Sequence, residues 1–220
     1  MADSRRRDPA LRELLASAGN AGITVRFESR GFFAQFPYKA HQSVVAFASP
    51  FDYASLDEVL EARTPGKAAL LVVLDHVTDP HNLGAIVRTA EAVAADAIVI
   101  PERRSAGVNA TVRKASAGAT AYLPIVRVAN VAQTVRKLKD GGIWIAGADV
   151  SDQATPYDRA DLRGDLALVI GAEGAGISPV VRKECDWILG IPMAGRIASL
   201  NASVAAAVLL FEVRRQRQAC

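Results

Sequence analysis

From residue 69 onward, short, near-continuous aliphatic runs alternate with longer stretches of helical spacing, and this alternation limits what the chain can fold into. The runs are ALLVVLD (69–75), AIVI (97–100), YLPIVRV (122–128), IWIAGA (143–148), DLALVIG (165–171) and WILGIP (187–192). Helical stretches fall near 82–94, 109–116 and 131–139, after Ser178-Pro179, and from about 200 to 217. A strand that is apolar at every position must be covered on both faces. The pattern therefore predicts an α/β fold, a parallel sheet with helices on both sides. Aromatics are only 6% of the chain, so the interior is aliphatic, which suits this fold better than an aromatic-rich β-sandwich.

The first fifty residues read differently. A basic run, Arg5-Arg6-Arg7, precedes Asp8-Pro9, a helix start with an N-cap and Pro at N1. That helix is expected to reach Ser17 and stop at Gly19-Asn20. ITVRF (23–27) and SVVAFA (43–48) read as short strands, with a short helix or turn over 31–38 between them. Residues 50–66 hold a turn, an acidic helical stretch (56–62) and a TPGK break. The expected organisation is a small domain over 1–50, a linker over 51–67 and a large domain over 68–220. The net charge is +3, from 26 Lys+Arg and 23 Asp+Glu. Residues 1–50 hold seven Lys+Arg against four Asp+Glu, which accounts for all of it. A basic surplus on one domain permits a nucleic-acid partner.

Several function classes are excluded. Two cysteines, Cys185 and Cys220, rule out a disulfide framework and a zinc ribbon. His41, His76 and His81 do not combine with them at ligand spacing, so no metal is expected. No window approaches 18 uninterrupted apolar residues, so no membrane partner is expected. The N-terminus MADSRRRDPALREL lacks the apolar core of a secretory signal, which predicts a cytoplasmic protein.

Parallel sheets bind ligands beyond the carboxyl ends of their strands, and three unusual loops fall there. In the first, DHVTDPHNLG, Asn82 reads as an N-cap and Gly84 permits close backbone approach. Arg88 lies six residues on, among Ile86, Val87 and Ala90. It is either a surface arginine or a desolvated cation that needs a partner such as phosphate. The second loop, Gly171-Ala172-Glu173-Gly174-Ala175-Gly176, has neither the dinucleotide nor the phosphate-loop glycine spacing. Glu173 would repel pyrophosphate and suits a cationic or hydroxyl-bearing ligand. In the third, IPMAGRIASLN, Ser199 and Asn201 are start signals for the final helix. That helix is apolar over most of its surface, so it is expected to be buried, partly against another subunit.

Together the runs LDHVTDPHNLGAIVRTAEA (74–92), LALVIGAEGAGIS (166–178) and IPMAGRIASLNASVAAAVLLFEVRRQR (191–217) resemble, in order, the three motifs of the SpoU/TrmH family of RNA ribose 2′-O-methyltransferases, part of the SPOUT superfamily. The resemblance covers about 68–220. HQSVVAFASPFDYASLDEVL (41–60) is similar to the end of the RNA-binding domain in bacterial enzymes of the RlmB type, which modify a guanosine of 23S ribosomal RNA.

The resemblance implies a knotted C-terminal domain, a homodimer, and S-adenosylmethionine held among the three loops. It implies cofactor contacts at Gly171, Ile191 and Leu200, with Gly147, Met193 and Asn201. It implies catalytic or functional polar roles for Asn82, Arg88, Glu173, Ser199 and Asn201. On this reading Asn82 and Arg88 hold the target nucleotide, Arg88 acting as base or phosphate clamp. Ser199 and Asn201 shape the cofactor loop, and Glu173 orients Arg88 or a neighbouring chain. Arg5, Arg6, Arg7, Arg103, Arg104, Arg113 and Lys114 are candidate RNA contacts. The chain departs from the relatives in a short N-terminal domain and in Ser43, where glycine is common. The rivals are a tRNA ribose methyltransferase of the same family, a non-catalytic RNA-binding or ribosome-assembly protein that kept the fold, and a dinucleotide oxidoreductase, which the glycine spacing and Glu173 disfavour.

Overall fold

The computed structural model describes residues 2–3, 8–36, 42–151 and 153–218. Arg5, Arg6, Arg7, His41 and Cys220 lie outside them. The chain divides into two compact units, Met1–Pro50 and Phe51–Cys220.

The first unit holds β1 (Ala2–Asp3), α1 (Pro9–Asn20), β2 (Phe27–Glu28) and α2 (Arg30–Phe33). Asp8 caps α1 as expected, its Oδ1 accepting from Leu11 N–H at 2.9 Å. The helix runs past Ser17 to Asn20. The two strands read from the sequence are not formed at that length. Of the first only Phe27 is in a strand, and it pairs with Ala2, in parallel, as Glu28 just beyond the expected range does with Asp3. Residues 43–48 form no strand. Val44 makes an isolated bridge rather than part of a ladder, and Ile23 and Phe47 stay exposed. Ser43 has φ +56°, the left-handed region where a glycine is at ease.

The second unit opens with α3 (Leu56–Glu61), started by a capping box between Ser55 and Glu58. Residues 51–67, expected as a linker, are packed on this unit. Ala54 N–H donates to Ile125 O at 3.0 Å. Tyr53 Oη accepts from Val108 N–H at 2.9 Å, and Val59 is buried among the core residues.

The sheet is built from β3 (Leu70–Asp75), β4 (Ala97–Pro101), β5 (Ile125–Val128), β6 (Trp144–Ala148), β7 (Thr155–Pro156), β8 (Leu166–Gly171) and β9 (Trp187–Gly190). Its order is β5-β4-β3-β8-β6-β9-β7, and every neighbouring pair is parallel. The helices are α4 (Pro80–Ala92), α5 (Ala110–Ala115), α6 (Val131–Asp140), α7 (Pro179–Arg182) and α8 (Ala202–Gln218). Strand alternation sorts the apolar residues into two cores, one on each face. Leu70, Val72 and Leu74 pack with Ile86 of α4 and Leu209 of α8. Leu71 and Val73 pack with Val135 and Leu138 of α6.

Three aspartates pin the amino-terminal ends of the strands. Asp96, Asp165 and Asp186 each stand one residue before a strand and accept an N–H from the adjoining one, at Leu70, Ala69 and Ile145. At the same end, the Arg217 guanidinium of α8 donates to the carbonyls of Ala68, Ala69 and Gly164 at 2.7–2.9 Å. Burial pushes its pKa down, against the opposing charges of Asp96 and Asp165.

A parallel sheet brings all its carboxyl ends to one edge. The loops after β3, β6, β8 and β9 therefore meet there.

Candidate functional site

Asp79, not Asn82, caps α4. Its Oδ1 accepts from His81 N–H at 2.9 Å, and Pro80 stands at N1. Asn82 is thereby carried into the first turn and buried, at 6% exposure. Its side chain serves another purpose. Asn82 Nδ2 donates to Glu173 Oε1 at 3.0 Å, and Asn82 Oδ1 accepts from Asn201 Nδ2 at 2.9 Å. Asn201 Nδ2 also donates to Glu173 Oε1. Three side chains from three loops thus close one ring of hydrogen bonds.

Asn201 also starts α8. Its Oδ1 accepts from Ser203 N–H at 2.9 Å and from Ser203 Oγ at 2.6 Å. The other start signal, Ser199, is exposed and lines the cavity described below.

Of the two readings of Arg88, surface arginine and desolvated cation, the structure shows the first: Ile86, Val87 and Ala90 face the core while Arg88 turns to solvent. Glu173 makes no hydrogen bond to it among the described residues, its Oε1 accepting from the two asparagines instead. Among the described residues Arg88 has no hydrogen-bond or ion-pair partner. Its five guanidinium N–H donors are free.

Gly84 explains how α4 is placed. A Cβ there would stand 2.5 Å from Ala115 Cβ and 2.9 Å from Val112 O of α5. The two helices cross at van der Waals distance only because that atom is missing.

Beside the asparagine–glutamate ring lies a cavity of about 340 Å³, within the range of small-molecule sites. The loops after β6, β8 and β9 line it, with Ala202, Ala205 and Leu209 of α8. Gly171, Ile191, Leu200 and Met193, expected as cofactor contacts, are all in its wall. A Cβ on Gly171 would fall 2.1 Å from the Gly176 carbonyl carbon, so the loop can fold back on β8 only over a glycine. The wall is mostly apolar. Among the described residues its only charged side chains are the carboxylates Asp149 and Glu173.

Two expected contacts fall elsewhere. Asn201 belongs to the ring rather than the lining. Gly147 is not in the lining, and its added Cβ would be 2.8 Å from both Cys185 Sγ and Ile177 Cδ1. Conversely, the sequence reading missed Asp149. The signal was its place just past β6, at the edge where ligands bind.

Of the candidate RNA contacts, Arg103 and Arg104 are exposed in the loop after β4, at the same edge of the sheet. Lys114 is exposed on α5, and Arg113 lies over the Phe51 ring, 5.6 Å from its centroid. Arg127 lies over Tyr53 at 5.0 Å. Among the described residues no three His, Cys, Asp or Glu side chains group as metal ligands, and no helix is long and apolar enough to cross a membrane.

Residues 69–211 match the SpoU rRNA Methylase family. The chain is 43% identical over 206 residues to the putative TrmH family tRNA/rRNA methyltransferase YacO of Bacillus subtilis, spanning 93% of this chain and 82% of that protein. It superposes on the AdoMet-bound rRNA methyltransferase from Sinorhizobium meliloti with a TM-score of 0.78 and 27% identity, covering 94% of this chain and 77% of that one. It matches the TrmH/SpoU tRNA modifying enzyme of A. aeolicus with a TM-score of 0.65 and 33% identity, covering 74% and 80%.

Proposed function

The chain belongs to the SpoU rRNA methylase family and is an RNA methyltransferase that uses S-adenosylmethionine; from this we propose that it methylates a ribose 2′-hydroxyl, in the RlmB manner, on a guanosine of 23S ribosomal RNA. The observation that carries the reading is the ring of Asn82, Glu173 and Asn201 at the rim of the cavity. Three loops far apart in sequence place a hydrogen-bonded polar cluster beside an apolar pocket.

The cavity fits the cofactor. Its mostly apolar wall accepts an adenine ring, and the carboxylate of Glu173, held by neutral amides, suits a ligand that carries a sulfonium. When bound, the cofactor supplies an electrophilic methyl group, so the protein needs to orient the acceptor and release one proton. Gly171, Ile191, Met193 and Leu200 hold the cofactor. Glu173, fixed by two amide donors, keeps the first and third loops together, and Ser199 faces the same space. Arg88 holds the phosphate of the target nucleotide. A solvated guanidinium without a partner is a good clamp and a poor base, so a phosphate oxygen or water receives the hydroxyl proton.

A ribosomal substrate is supported over a transfer RNA by coverage. The rRNA methyltransferase neighbour accounts for 94% of the chain. The tRNA-modifying neighbour accounts for 74%, close to the share of Phe51–Cys220 alone, 170 of 220 residues. Residues 1–50 then serve as the RNA-binding domain and 68–220 as the methyltransferase domain, the latter knotted at its C-terminal end. Arg103, Arg104, Arg113 and Lys114 continue the RNA surface, with Arg5, Arg6 and Arg7. Val204 and Phe211, seven residues apart on α8, are exposed apolar side chains on one stripe, which supports pairing with a second copy through that helix. An RNA substrate is consistent with a cytoplasmic location.

The test is methylation of total RNA with methyl-labelled S-adenosylmethionine, followed by mapping of the modified ribose. Label at one 23S guanosine supports the reading. Label in transfer RNA moves the substrate, and cofactor binding without incorporation favours the non-catalytic binder.

A further inference from the structure

We infer that Asp149 is a cofactor-contacting residue whose carboxylate accepts hydrogen bonds from the two ribose hydroxyls of S-adenosylmethionine. The inference rests on the cavity being the cofactor site.

Asp149 follows β6 directly and lines the cavity. Its backbone N–H donates to Leu189 O at 3.1 Å, which fixes where the side chain starts. One carboxylate oxygen, Oδ1, accepts from Val150 N–H at 2.8 Å. The other, Oδ2, is paired with Arg182 of α7. The group presses against the glycine loop: a Cβ on Gly176 would stand 3.0 Å from Oδ1. It is therefore held in the wall from three directions, with the side chain 21% exposed.

A carboxylate has about four lone-pair positions, and Val150 and Arg182 use two. What remains is a pair of acceptors on a group whose charge Arg182 already balances. Such a group is a weak counter-ion but a good acceptor. Among the parts of the cofactor, the sulfonium and ammonium seek free charge, whereas the ribose diol offers two neutral O–H donors side by side. A carboxylate at the carboxyl end of a parallel strand meets a ribose hydroxyl in other nucleotide-binding sheets. Glu173, the other carboxylate in the wall, is tied through Oε1 to Asn82 and Asn201 and keeps an unbalanced charge, which suits a cationic part of the cofactor better than the diol.

Three ligands separate the possibilities by titration calorimetry: S-adenosylmethionine, S-adenosylhomocysteine, which lacks the positive sulfur, and 5′-methylthioadenosine, which lacks the amino-acid group. Asp149→Asn is expected to weaken all three by a similar factor, roughly tenfold. Loss confined to S-adenosylmethionine would make Asp149 a partner of the sulfonium and overturn the inference. Loss of the first two but not 5′-methylthioadenosine would point to the ammonium and overturn it equally.

A second measurement starts from the wild type. The wild-type protein should prefer 5′-methylthioadenosine over its 2′,3′-dideoxy analogue by a comparable factor, and Asp149→Asn should erase that preference. Arg182→Ala, which removes the ion pair but keeps the acceptors, should retain it. Equal binding of the two analogues by the wild type sinks the inference. Ala175→Trp, in the exposed part of the wall, tests the cavity itself. If it abolishes all binding while Asp149→Asn changes nothing, only the role of Asp149 fails. If it leaves binding intact, the cavity is not the cofactor site.

Discussion

Asn201 Nδ2 donates to Asn82 Oδ1 at 2.9 Å across 119 residues of chain, and the same nitrogen donates to Glu173. One amide thus joins the loops after β3, β8 and β9 while its own oxygen caps α8. Asn201→Asp keeps the cap and the shape but sets a carboxylate against Glu173. We expect methyl transfer to fall about 100-fold, because a like-charge contact inside a site costs several kcal/mol. Adding Glu173→Gln restores a donor to the pair and should recover most of the loss. Kinetics of the single and double variants check this, and a double variant as impaired as Asn201→Asp alone contradicts it.

Arg88→Ala should fold and bind the cofactor normally, since the side chain is exposed and has no partner among the described residues. Methyl transfer should drop by roughly 100-fold as the substrate loses its clamp. Arg88→Lys should regain part of it, because phosphate also accepts an ammonium. Calorimetry with the cofactor and single-turnover methylation separate the two effects.

Gly84→Ala should destabilise the protein by about 1–3 kcal/mol, the usual range for overpacking. The new methyl meets Ala115 Cβ and the Val112 carbonyl. Ala115→Gly in the same chain removes the first clash but not the second, so it should return only part of the lost urea midpoint. Full recovery would mean that the carbonyl contact relaxes freely.

How much of this was legible in the sequence depended on distance along the chain. Asp8 caps the helix that follows it, because a cap and its helix lie within three residues. Continuous aliphatic runs became strands of a parallel sheet for the same local reason. Asn82 misled: its residue type is right for a cap, but Asp79, three residues earlier with Pro80 behind it, took that place. Arg88 stayed open between two readings, since its apolar neighbours in sequence point away from it on the helix. The partnership of Glu173 with Asn82 and Asn201 spans 91 and 28 residues and carries no local signature. Residues 23–27 and 43–48 have strand composition, but whether a strand forms depends on a partner that composition does not specify.

Acid stability should depend in part on Glu212. Its carboxyl is held below the ordinary glutamate value of 4.5 by hydrogen bonds from Arg215, opposed by burial and aided by Gln216. A depressed folded value stabilises the protein above the unfolded value, and the contribution is lost as pH falls through the folded one. Urea midpoints should therefore decline below about pH 4.5, and Glu212→Gln should flatten that decline while lowering the midpoint at pH 7. An unchanged slope in the variant would assign the acid limb to other carboxylates.

Burial pushes the Cys185 thiol up to about 11, with Asp186 adding to the effect and Arg182 opposing it. In a Cys220→Ser background the native thiol should react with a thiolate-selective reagent at pH 8 on the order of 100-fold more slowly than the unfolded chain. Equal rates in the two states would show that the thiol is open to solvent.

The grip of Arg217 on Ala68 and Ala69 has a consequence for biosynthesis. These partners are made about 148 residues before the arginine. At roughly 5–20 residues per second, that is a wait of roughly 7 to 30 s on the ribosome. Throughout it, the face of β3 formed by Leu70, Val72 and Leu74 lacks the part of its cover that α8 supplies. The nascent chain therefore offers a sticky aliphatic surface to chaperones and to other nascent chains. The same delay keeps the ring that Asn201 closes from forming until the rest of the sheet has been translated.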